Sequence, residues 1–137
     1  MFRNALAAMI VFTFLIVAAH ADENDAIKIL EKAGSKIYRD DKKDGKPIVA
    51  VEMWGPSFSS ELLVQMKEFK HLERLRLAGP WVNEKGLKEL HGIKTLKVLR
   101  VRGPGVTDNA IKDLEKALPE IKVTRIAPDD RNTPLWP

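Results

Sequence analysis

Five arginines, Arg74, Arg76, Arg100, Arg102 and Arg125, are the side chains here whose type and spacing could do chemistry. Arg76 and Arg100 lie 24 residues apart and Arg100 and Arg125 lie 25 apart, with Arg74 and Arg102 two positions from the first pair. A guanidinium is a planar fork of donors that binds carboxylates and phosphates through two parallel hydrogen bonds, so such a set can accept anions. If the arginines share one face of adjacent strands, about 4.8 Å apart, their mutual repulsion is mildly destabilising. A purely structural face would rarely carry that arrangement. The plain alternative is a solvated face, the arginine stems covering apolar neighbours and Glu52 and Glu73 partly neutralising the charge. Trp54 and Trp81 are the other candidates. Exposed tryptophans concentrate binding energy at interfaces, although turn tryptophans also pack locally and Trp54 beside Arg76 would form an intramolecular cation–π contact.

Catalysis finds little support. His71 and His91 fall at unrelated positions of the repeat described below, no second histidine stands at metal-ligand spacing, and no G-x-S-x-G nucleophile motif occurs. The absence of cysteine excludes disulfides and thiolate metal sites. No acid, base and nucleophile set is recognisable, so the expectation is a non-enzyme with no cofactor and no metal. The chain of 137 residues supports one domain, and its formal charge of +4 is no nucleic-acid signature.

The elements that must position the arginines repeat. Related stretches begin at Ile48, Leu72, Leu96 and Ile121, spaced by 24, 24 and 25 residues. Apolar columns align down these copies: Ile48, Leu72, Leu96, Ile121; Val51, Leu75, Leu99; Met53, Leu77, Val101, Ile126; and Phe58, Val82, Val106. Strand alternation turns the intervening residues to the opposite face. There one column reads Glu52, Arg76, Arg100, Arg125, flanked by Ala50, Arg74, Val98, Val123 and by Trp54, Ala78, Arg102, Ala127. Thr124 then falls in an inward column, which would end the array. After each strand Ser59, Asn83 or Thr107 is placed to cap a helix. The stripes Leu63, Met66, Phe69; Leu87, Leu90, Ile93; and Ile111, Leu114, Leu118 turn one face of each helix to the strands.

The pattern L-x-x-L-x-L, a turn and a short helix, at a period inside the roughly 20–29 residue window, resembles the leucine-rich repeat family. The match covers Ile48 to Pro128, and Gly105-Val106-Thr107-Asp108-Asn109-Ala110-Ile111 resembles the V-T-D-x-G-L form of short bacterial repeats. The resemblance implies an α/β fold: a short solenoid with a parallel sheet on a concave face and helices on the convex face. It also implies a binding role, mostly toward proteins. One departure is consistent. Pro56, Pro80 and Pro104 replace the usual Asn, Cys or Thr after each strand, so an asparagine ladder is absent and the bend must rest on proline stiffness and on Gly55, Gly79 and Gly103.

Residues 1–21 read as a secretion signal: Arg3, an apolar run from Ala5 to Ala19 broken by Thr13, and Ala19-His20-Ala21 for cleavage. Its loss would remove Arg3 and no acidic residue, lowering the formal charge from +4 to +3. A run of that length falls short of the roughly 20 apolar residues of a spanning helix. Residues 22–47 read as an N-terminal cap: a helix from Asp25 to Ala33, capped by Asp25 and ended by Gly34, then a hairpin around Asp44-Gly45. Residues 48–128 hold three full repeats and a terminal strand. Residues 129–137 form a tail whose Leu135 and Trp136 are expected to fold over the last repeat. The expectation is an exported, periplasmic or secreted binding module for a protein, one with an acidic surface suiting the arginines. Arg74, Arg76, Arg100, Arg102, Arg125, Trp54, Glu52 and Trp81 would form its site. The rival is an envelope protein holding anionic lipid or wall polymer electrostatically. Self-association through the edge of the strand Lys122 to Ala127 is a further expectation.

Overall fold

The computed structural model describes residues 23–130; the secretion signal expected over 1–21 and the placement of Leu135 and Trp136 fall outside them. The first element is helix α1, residues 23–32, which buries Ala26 and Leu30 in the core. It is already under way at Glu23, so Asp25 lies inside the helix and not at its cap. Gly34, at φ 95°, ends it: the Ser35 N–H donates to the Leu30 carbonyl at 2.9 Å and the Gly34 N–H to the Glu31 carbonyl at 3.0 Å. That is the paired helix ending for which a glycine, free of a Cβ penalty, is favoured.

Strands β1 (Lys36–Arg39), β2 (Ile48–Trp54), β3 (Arg74–Ala78), β4 (Val98–Arg102) and β5 (Lys122–Arg125) form one five-stranded sheet in sequence order. β1 and β2 pair antiparallel, the hairpin the Asp44-Gly45 loop foretold. The other three pairings are parallel, so the sheet is mixed and the class is α/β. The repeat length sets the parallel register: Ala50 faces Arg74, Arg74 faces Val98 and Val98 faces Lys122. Each step is 24 residues, including the last, where sequence alignment gave 25. Parallel strands need a crossover, supplied by the 3-10 helix Ser60–Glu68, by α2 (Glu84–Lys88) running on into a 3-10 turn, and by α3 (Asp108–Ala117).

The three caps expected after the strands form. Ser59 Oγ accepts from the Glu61 N–H, Asn83 Oδ1 from the Gly86 N–H and Thr107 Oγ1 from the Ala110 N–H. The core lies between sheet and helices. Every residue of the four apolar columns is buried, as are Leu63, Met66, Phe69, Leu87, Leu90, Ile93, Leu114 and Leu118. At roughly 1.5–3 kcal/mol for each large apolar side chain fully buried, this layer is what opposes the entropy of ordering the chain. No helix among the described residues is long and apolar enough to cross a membrane. Both outer strands are four residues long and carry basic ends, Lys36 and Arg39 on β1 and Lys122 and Arg125 on β5. Short, charged edges disfavour further strand pairing.

Candidate functional site

The sheet register gathers one column of the expected site and breaks another. Glu52, Arg76 and Arg100 stand in line on the face turned away from the helices. The next member is Thr124, paired with Arg100, and not Arg125, which pairs with Val101. Val123 correspondingly falls opposite Leu99 and packs against the core. The shift has a simple cause: Ile121 resembles the strand-opening leucines in type, but β5 keeps the 24-residue pairing of its neighbours and leaves Ile121 one place out of register.

Arg125 therefore leaves the patch. Its Nη1 donates to the Val106 carbonyl at 2.8 Å and its Nη2 to Asp108 Oδ1 at 2.6 Å, at the start of α3. One repeat earlier the equivalent carbonyl, that of Val82, accepts from the Gly105 N–H of the following repeat. Arg125 supplies to Val106 the donor that the Gly105 N–H supplies to Val82.

Arg76 lies on the expected face but is not open to it, being 2 % exposed. Its guanidinium sits 4.6 Å from the Trp54 ring centroid, so the cation–π contact forms. Its Nη1 is 3.7 Å from Glu52 Oε2, and its Nη2 donates to the Asp130 carbonyl at 2.6 Å. Arg100 Nη2 is paired with the Asp130 carboxylate, and Arg102 Nη1 donates to the Pro128 carbonyl at 3.0 Å. Residues just past β5 thus turn back across β4 and β3. The row of arginines is already answered by acceptors from its own chain. The sequence signal for this pairing is Asp129-Asp130, an acidic pair close behind the basic strand β5.

Trp81 is also displaced from its expected role. It is buried, its ring centroid 5.7 Å from that of Phe58, and its indole N–H donates to the Gly55 carbonyl of the preceding repeat at 2.7 Å. This bond does at one corner what an asparagine ladder would do. Gly79 makes it feasible: a Cβ there would lie 2.2 Å from the indole nitrogen and 2.5 Å from the Gly55 carbonyl oxygen. A second tie between repeats runs from Thr95 Oγ1 to the Leu72 carbonyl at 2.7 Å.

Trp54 remains half-exposed. With Ala78, Arg102 and the three Gly-Pro corners 55–56, 79–80 and 103–104 it lines an open groove of about 570 Å³ beyond the strand ends. A shallow space with an indole at one side and a guanidinium at the other suits a ligand pairing an apolar or planar group with an acceptor. A smaller hollow is lined by Gly34, Lys36, Glu52 and Trp54. Among the described residues no three His, Cys, Asp or Glu side chains converge where they could hold a metal ion. No family model matches the chain, and no curated protein matches it.

Proposed function

We propose that this chain is a short leucine-rich repeat solenoid, exported by its N-terminal signal, that acts without catalysis as a protein-binding module. Its binding face is the strand face carrying Arg74, Arg76, Arg100, Arg102 and Trp54. The observation that carries the reading is the constant 24-residue register, which stacks side chains of successive strands into rows and leaves the Trp54–Arg102 groove open beside them. Repeats of this kind build extended binding surfaces because equivalent positions recur side by side. The internal pairing of Arg76 and Arg100 weighs against diffuse attachment to anionic lipid or wall polymer, since charge already met by Glu52 and Asp130 projects a weaker field.

The test is affinity capture from the envelope fraction of the source cell, with the natural chain and with a Trp54→Ala/Arg102→Ala variant. The expected result is a discrete protein retained by the natural chain above physiological salt, where screening acts within about 8 Å, and released by the double substitution. Retention that salt alone abolishes, with the variant behaving like the natural chain, would mean electrostatic attachment.

A further inference from the structure

We propose that the row Arg102, Arg100, Arg76 is a track for an acidic peptide turn of a partner protein, the conformation that residues 127–130 take through the hydrogen bond from the Asp130 N–H to the Ala127 carbonyl at 3.1 Å. The chain's own Pro128 and Asp130 occupy that track in cis. The inference rests on the binding-module reading and names the chemistry of its partner.

The contacts run in order. As the chain advances from Pro128 to Asp130, the arginines step back from β4 to β3: Arg102 takes the Pro128 carbonyl, Arg100 the Asp130 carboxylate, and Arg76 the backbone carbonyl of that same Asp130. Main-chain contacts are indifferent to sequence and fix the path of a peptide, whereas the carboxylate contact selects an acidic side chain. Together they make a minimal peptide reader. Arg76 is held ready for it: Trp54 lies against its guanidinium and Glu52 beside it, so little side-chain entropy remains to be lost when a ligand carbonyl arrives. The groove beside the track is lined by Trp54, the Gly-Pro corners and Arg102, and by no residue of 127–130. A longer incoming segment therefore has apolar surface to gain that the tethered one leaves untouched.

A tethered segment competes at an effective concentration of about a millimolar. Incoming peptides are weakened by the fraction of time the track is taken. The probe is a fluorescein-labelled, amidated peptide Ala-Pro-Asp-Asp-Arg-Asn, followed by fluorescence anisotropy. Against a chain ending at Ile126 it is expected to bind about tenfold more tightly than against the full chain. Arg100→Ala in the shortened chain, or Asn for both Asp in the peptide, should reverse that gain. Full-length Asp130→Asn, which keeps the backbone intact, should show part of the gain and serves if the shortened chain melts early. A folded shortened chain, or a folded Asp130→Asn chain, that binds no better than the natural one overturns the proposal, as does equal binding of the Asn peptide. Competition by acetate as effective as by the peptide overturns the peptide part. A shortened chain that retains an envelope partner yet ignores the peptide overturns the acidic track and leaves the binding module standing.

Discussion

Trp81 shows how much one side chain depends on a neighbour's lack of one. Its indole reaches the Gly55 carbonyl by passing over Gly79, where any Cβ would collide with it. Trp81→Phe keeps the ring near Phe58 but strands that carbonyl, at an expected cost of about 1–3 kcal/mol in urea denaturation. Gly79→Ala should cost at least as much, because φ 156° and the 2.2 Å approach to the indole must both be relieved. Neither outcome is readable from residue type. A tryptophan after Gly-Pro looks equally suited to an exposed rim, and the direction of its ring is decided by a backbone contact between repeats. Arg76 teaches the converse: its place in the column was legible, but its burial was not, because the segment that covers it lies 54 residues further on.

At the scale of elements, the strands and the three helix caps were legible because both follow from local rules, side-chain alternation and a short polar residue before a helical stripe. The final strand was misaligned by one residue for a physical reason. Ile121 satisfies the apolar pattern wherever it stands, while the register is set by hydrogen bonding to β4. The same slip hid the role of Arg125. Arg125→Ala should leave the Val106 carbonyl short of a donor, lowering stability by about 0.5–1.5 kcal/mol and speeding hydrogen exchange in the first turn of α3. Between the 3-10 helix Ser60–Glu68 and the turn after α2, Lys67 Nζ lies 2.6 Å from Glu89 Oε2. The hydrogen bond and charge of Lys67 hold the Glu89 carboxyl below the usual carboxylate range. A carboxylate lowered on folding stabilises above its unfolded pKa, and that stabilisation is lost as pH falls through the folded value. Glu89→Gln should therefore lower Tm at neutral pH, with the difference from the natural chain vanishing in strong acid; a difference constant across pH would show that the pair contributes nothing.

For the molecule as a whole, no strand has a core of its own. Leu75 and Leu77 of β3 are fully buried within the layer that neighbouring strands and crossovers share. Leu75→Ala should cost about 2–5 kcal/mol, and unfolding should remain a single transition seen alike by tryptophan fluorescence and circular dichroism. Separate transitions would show that the N-terminal hairpin and the parallel strands melt independently.

The way the array closes has an evolutionary consequence. Arg125, the last residue of β5, gives the Val106 carbonyl the donor that the Gly105 N–H gives Val82 one repeat earlier, and its strand keeps the common 24-residue pairing. Duplicating one whole period upstream of Ile121 would carry this arginine along unchanged and lengthen the sheet by a rung. Tandem gene duplication would thus enlarge the sheet without disturbing the contacts of its last strand.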